Sequence, residues 1–247
     1  MPVAFITGGA SWFSRETARL LLADTWSVVL SDINMEHLAE VAAELGNPSS
    51  LSTCFMDVAD RDAVKSTIDA VAREHGNVDA LVNVAGGSMH LSAVGIVRLP
   101  FHETDPMVWE KFIRPGLYGV MHCTHAVVPH MIAARRGGIV SIASGMALRG
   151  QPRMAVYSAV KHALVGFSQA IAQEVALYGV RMNTIAPGAS ESRWKPDLTA
   201  APTGGASPLG RRTSAVDVAN AIHFLLSDKA GHITGACMDL SGGTQLH

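Results

Sequence analysis

Cysteine is scarce. Cys54, Cys123 and Cys237 are the only three in 247 residues, odd in number and widely spaced. That pattern argues against a disulfide framework or a cysteine zinc site, and it reads as the reduced thiols of a cytoplasmic protein. Charge is scarce as well. Charged residues make up 16% of the chain, and 19 lysines and arginines against 21 acidic residues leave a net charge of -2. No surface for nucleic acid or for an anionic membrane is expected from that balance. No apolar run reaches the ~18 residues that a membrane span needs. The opening "MPVAFITGG" has no basic region before its apolar stretch, so no signal peptide is expected. Internal repeats, low-complexity tracts and linkers are also missing. What the chain has in quantity is apolar surface, at 48% hydrophobic residues, enough for a sizeable core.

Those apolar residues fall into short β-branched runs that alternate with helical patterns. Strands are expected at 3–7, 27–32, 51–57, 78–86, 137–144, 181–187 and 235–241. Helices are expected at 15–24, 35–45, 61–76, 106–135, 155–179 and 215–228, the fourth interrupted by Pro115-Gly116. The run "VAFIT" does not alternate, as in a strand covered on both faces. Strand–helix alternation predicts parallel strands joined by right-handed crossovers. The expected fold is therefore one doubly wound α/β domain over 1–247, with about seven strands and helices on both faces of the sheet. Its ligands belong beyond the carboxyl ends of the strands. The stretch 188–213 is rich in Pro and Gly and reads as a substrate loop or lid.

Chemistry is concentrated in "YSAVK", Tyr157 to Lys161. Four residues apart on a helix, the two side chains share a face. A nearby ammonium would favour the phenolate and bring the tyrosine closer to neutral pH. Ser144 ends the strand before this helix, thirteen residues earlier, and its hydroxyl could donate to a substrate oxygen beside the tyrosine.

Together with Thr7-Gly8, Asp57-Val58, "NVAG" at 83–86, "NTIAPG" at 183–188 and "SGG" at 241–243, these residues make the chain resemble the short-chain dehydrogenase/reductase family along nearly its whole length. The resemblance implies a Rossmann-like sheet and a catalytic set of Ser144, Tyr157 and Lys161. Tyr157 would be the acid/base, and Lys161 would hold the nicotinamide ribose. A cofactor site is implied at Thr7, Gly8, Ser11, Trp12, Phe13, Asp32, Ile33, Asp57, Val58, Asn83, Ala85, Gly86, Tyr157, Lys161, Pro187 and Gly188. Asp32 matches the acid that binds the adenosine ribose. Its carboxylate accepts from a 2′-hydroxyl and repels a 2′-phosphate, which favours NAD over NADP. The family also implies a homotetramer or homodimer built on helices 106–135 and 155–179.

Four positions depart from the family pattern. Trp12 and Ser14 stand where the phosphate-binding turn has glycines, the first of which lets the backbone approach the pyrophosphate. Gly116, ahead of Gly119, stands where a helix asparagine supports a proton relay. Thr25 replaces a common turn glycine. Trp12 and the lost asparagine also resemble the halohydrin dehalogenases, which use this fold without nicotinamide and place an aromatic residue in the vacated space. An indole filling the site would leave no cofactor at all. Packing of Trp12 outward over the first helix is the other reading.

The expected function is an NAD-dependent oxidoreductase that interconverts a secondary alcohol and a ketone. The alternative is a cofactor-independent, dehalogenase-like lyase. Apolar loops at 87–104 and 188–213 suggest a hydrophobic or ring-bearing substrate, with Met146 and Trp194 as candidate pocket walls or plain loop packing. His122, His125 and His130 lack a further ligand at suitable spacing, so no metal site is expected. Arg211-Arg212 reads as a solvated pair.

Overall fold

The structure is a computed structural model that describes residues 1–86, 99–190 and 207–245. Seven strands form one parallel sheet: β1 (Val3–Thr7), β2 (Ser27–Asp32), β3 (Leu51–Phe55), β4 (Ala80–Asn83), β5 (Gly137–Ile142), β6 (Val180–Pro187) and β7 (Cys237–Leu240). Their order is β3-β2-β1-β4-β5-β6-β7. The chain first builds outward from β1 to β3, then returns to the other side of β1 with β4. That reversal opens a crevice between the carboxyl ends of β1 and β4.

The helices are α1 (Trp12–Ala23), α2 (Met35–Glu44), α3 (Arg61–His75), α4 (Pro106–Ile113), α5 (Gly119–Ala134), α6 (Ala155–Val175) and α7 (Ala215–Leu226). They cover both faces. Phe5, Leu81, Ile139 and Met182 pack against Ile68 of α3, Val127 of α5 and Ala172 of α6. Ile6, Val82, Val140 and Ile185 pack against Leu21 of α1, Leu38 of α2 and Ile222 of α7. Adjacent strand residues thus feed opposite cores, which is why β1 is apolar without alternation.

Local chemistry sets the helix ends. Asn34, Asp60 and Asp105 each accept a first-turn N–H of the helix that follows. Ser214 and Asp217 form a reciprocal capping box at α7. Gly76, at φ 82°, closes α3 in a left-handed conformation.

Several bounds differ from the sequence expectation. The first helix begins at Trp12, because Ser11 caps it three residues earlier than the apolar pattern shows. β4 stops at Asn83, since its pairing with β1 and β5 ends there. The helix expected at 106–135 is two helices joined by a π turn over Arg114–Tyr118. Pro115 has no N–H to give, and the N–H of Gly119 reaches back to the carbonyl of Arg114. Among the described residues no helix is long and apolar enough to cross a membrane.

Candidate active site

The turn after β1 is shaped by its glycines. Gly8 has φ 66°, and a Cβ there would lie 2.8 Å from the Ala85 nitrogen. Only glycine allows that approach of β1 to the chain leaving β4. Thr7 fastens the same junction, its Oγ1 accepting from the N–H of Val84 at 3.2 Å and of Ala85 at 3.3 Å. Ser11 caps α1 by accepting from Ser14 N at 3.2 Å. Arg15 N is taken by the Ser11 carbonyl at 3.0 Å. Of the first four N–H groups of α1, those of Trp12 and Phe13 are left to face out of the helix end.

The Trp12 indole lies on the α2 side of this turn. It carries the Arg15 guanidinium at 5.7 Å from its centroid. Trp12 and Arg15 line a crevice there with His37, Glu40 and Val41 of α2. The ring is thus packed against Arg15 of its own helix and faces α2.

Asp32 ends β2 beside the turn. One carboxylate oxygen accepts from Ala10 N at 3.0 Å and the other from Asn34 N at 2.9 Å. Ile33, next to it, is exposed. Asp57 follows β3 and folds over itself, accepting from Ala59 N at 2.8 Å. Val58 is buried beneath α5, where a Cβ on Gly119 would come within 2.6 Å of it. Asn83 is buried at the end of β4. Its amide donates to Ser141 Oγ at 3.1 Å, and its Oδ1 has no protein partner. Pro187 ends β6, and Gly188 packs on Ser241, whose Cα a Cβ at 188 would meet at 2.8 Å.

The residues expected to be catalytic lie at the end of β5 and the start of α6. Ser144 follows β5 and caps the turn Gly145–Ala147, accepting from Met146 N at 3.2 Å. Its hydroxyl also lies close enough to Tyr157 to pull the phenol down. Lys161 is fully buried, with Nζ donating to the Ile142 carbonyl at 2.9 Å and lying 5.8 Å from the Tyr157 ring centroid. Burial pushes the ammonium down to about 8. It also pushes the Tyr157 phenol up, against a smaller downward pull from the Ser144 hydroxyl.

Donation to a neutral carbonyl leaves the Lys161 charge in place beside the Tyr157 ring, and the Ser144 hydroxyl adds its own pull toward the phenolate. Met146 packs with Phe112, Tyr157 and Val160 in a small apolar cluster. Phe112 meets the Tyr157 ring edge-on at 6.5 Å.

Gly116, in the π turn, backs onto Gly86 so closely that a Cβ on Gly86 would lie 2.6 Å from Gly116 Cα. The two backbones touch there, and Gly116 offers no amide side chain for a relay. Trp194 lies outside the described residues, as do 191–206 of the expected lid and 87–98 of the other apolar loop. The near ends of 188–213 are side by side, bridged between Ser190 and Thr213. Arg211 is not simply solvated, since its guanidinium donates to Asp217 at 2.8 Å. His122 contacts the Val58 carbonyl at 3.1 Å and His130 the Asp69 carboxylate at 2.8 Å, so the two turn to different partners. Sequence reasoning missed Gln245, whose amide packs on Gly145 beside Ser144. No motif marks it, because the contact exists only once β7 has joined the sheet.

A parallel sheet in this order, a glycine turn at its switch point and a Ser–Tyr–Lys set at the adjoining edge define an oxidoreductase of the dinucleotide-binding type. A family model described as short chain dehydrogenase matches residues 2–203, and the chain belongs to that family. It is 33% identical to a 3-oxoacyl-[acyl-carrier-protein] reductase of Thermotoga maritima, over 98% of this chain and 96% of the relative. It is 34% identical to a cis-4-hydroxycyclohexanecarboxylate dehydrogenase of Sinomonas cyclohexanicum, over 98% of this chain and 95% of the relative. Among solved structures, carveol dehydrogenase from Mycobacterium avium in complex with NAD superposes with a TM-score of 0.86 at 27% identity, covering 98% of this chain and 97% of that one. Structures of this likeness carry NAD in some cases and NADP in others.

Proposed function

We propose that the protein is an NAD-dependent oxidoreductase that interconverts a secondary alcohol and a ketone, with Tyr157 as its acid/base. The observation that supports this reading is the placement of Ser144 after β5 and of Tyr157 and Lys161 on the helix packed beside it, on the same carboxyl side of the parallel sheet as Asp32 at the end of β2.

The residues present fit a dinucleotide. Two N–H groups face out of α1, Gly8 and Gly86 leave no side chain in the way, and the buried Asn83 Oδ1 still lacks a partner. Each Asp32 oxygen accepts one backbone bond and keeps a lone pair for a ribose hydroxyl, and its charge opposes a 2′-phosphate. Asp57, Val58 and Ile33 would flank the adenine, and Pro187 and Gly188 the carboxamide.

Bound NAD would supply the hydride acceptor. The chain supplies the proton chemistry. Ser144 orients the substrate oxygen, and Tyr157 takes the hydroxyl proton in oxidation or returns it in reduction. Lys161 sets a positive charge beneath the ribose and the phenol. The apolar cluster of Phe112, Met146 and Val160 around Tyr157 suits a hydrophobic or ring-bearing substrate. Assembly as a homotetramer or homodimer through α5 and α6 belongs to the same reading, and light scattering tests it.

The test of activity is a panel of cyclic and open-chain secondary alcohols with NAD, followed by the absorbance of reduced nicotinamide. Turnover with at least one apolar alcohol is expected. Release of halide from a vicinal halohydrin without any nicotinamide would replace this reading with the lyase one.

A further inference from the structure

We propose that the Ser14 hydroxyl, standing where the family pattern has glycine, is a positioning group of the dinucleotide turn, so that restoring glycine weakens cofactor binding. The inference rests on the dinucleotide reading above. Glycine at this position serves close packing of helix on strand. Here a serine is fully buried in that place, and its hydroxyl is used.

Ser14 Oγ donates to the Gly8 carbonyl at 2.7 Å. A carbonyl cannot donate, so the single hydroxyl proton of Ser14 points there. Ser11 Oγ then donates its own proton to Ser14 Oγ at 2.9 Å, while accepting Ser14 N at 3.2 Å. The result is a directed chain, Ser11 to Ser14 to Gly8, whose order the chemistry fixes. The Gly8 carbonyl also accepts Ser11 N at 3.0 Å, so two donors hold it.

What this clamps is the freest part of the site. Gly8 sits at φ 66°, a conformation that glycine adopts without strain and that leaves the turn little else to hold it. Its placement sets the direction in which the Trp12 and Phe13 N–H groups leave α1. Those are the two groups available to a pyrophosphate. Glycine at 14 removes the hydroxyl, releases that of Ser11 and adds backbone freedom in the first helical turn. The cost of ordering the turn then falls on the binding step. Trp12 fits the same arrangement, since its ring is held aside on Arg15 while its N–H remains in the turn.

The experiment compares the full-length wild type with Ser14→Gly and Ser14→Ala. Calorimetry gives the Kd for NAD and for ADP-ribose, which shares the pyrophosphate but lacks nicotinamide. Amide exchange of Trp12 and Phe13 in the ligand-free proteins reports the order of the turn, and a thermal melt reports the fold. Both variants are expected to raise both dissociation constants about five- to ten-fold, the scale of one or two lost hydrogen bonds. Exchange should quicken at residues 8–14, and kcat at saturating NAD should stay within about twofold. Ser14→Ala keeps the Cβ and loses only the hydroxyl, so it carries the test if the glycine variant does not fold. Unchanged or tighter binding in the variants overturns the proposal, even if they melt earlier. A wild type that binds neither ligand overturns the dinucleotide reading and this one with it.

Discussion

The two ends of the cleft keep the same backbone in different ways. At the β5–α6 edge the chain retains the family's side chains, Ser144, Tyr157 and Lys161, and their geometry follows from them. At the β1–α1 turn it has replaced two of the pattern's glycines, yet the helix starts at Trp12 under a Ser11 cap and Gly8 still lies against Ala85. Hydroxyl bonds from Ser11 and Ser14 and a ring laid against Arg15 do there what missing side chains do elsewhere. Proton transfer needs particular atoms at particular places, so on the proposed reading the β5–α6 edge has less freedom to change. A phosphate site needs only that backbone N–H groups point correctly, and more than one set of side chains can arrange that.

If the division is right, variants at the two ends fail differently. Tyr157→Phe should lower kcat/KM by about 10³-fold or more, within the range for loss of a general acid/base, with the NAD Kd unchanged by calorimetry. Lys161→Met should lower kcat by about a hundred-fold while leaving the melting temperature at pH 7 equal or higher. The sign follows from burial. The ammonium falls from 10.5 to about 8 in the folded protein, so between those values the unfolded chain binds more protons. Wild-type stability therefore rises as pH goes from 8 to 10.5, relieving a cost of about 3 kcal/mol that is fully present below pH 8. That rise should vanish in Lys161→Met, as denaturant melts across the pH range would show.

Smaller effects belong to the other end. Asp32→Ser should raise the KM for NAD about ten-fold and improve use of NADP, with kcat for the preferred cofactor nearly unchanged. A large loss of kcat in this variant would break the separation of binding from chemistry. The least effect is expected beyond the cleft. Thr25 holds φ 61° after α1, a conformation that suits glycine. Thr25→Gly should raise the melting temperature by about 2–4 °C, the shift for ~1 kcal/mol in a chain of this size, without touching either kinetic constant.

Much of this was legible in the sequence, for physical reasons. β1 and β2 fall on their expected bounds because strands covered on both faces must be apolar throughout and are cut off by turn residues. Tyr157 and Lys161 could be placed on one helix face from spacing alone. Where the Lys161 charge goes could not, since Ile142 is nineteen residues away and becomes its partner only when α6 packs on β5. Pro115 announces a break in the long helix, but the close packing of that break on Gly86, in the chain leaving β4, is set by the tertiary fold. Ser14 reads as a defect in a glycine pattern until its three hydrogen bonds are seen.

The central claim is that the rewritten turn still admits a dinucleotide and that Asp32 selects NAD. Calorimetric titration of the wild-type protein with NAD and with NADP tests it most directly. The account predicts saturable NAD binding with a submillimolar Kd, and NADP at least about ten-fold weaker because its phosphate faces the Asp32 carboxylate. No binding heat at millimolar NAD, or tighter binding of NADP, would contradict it.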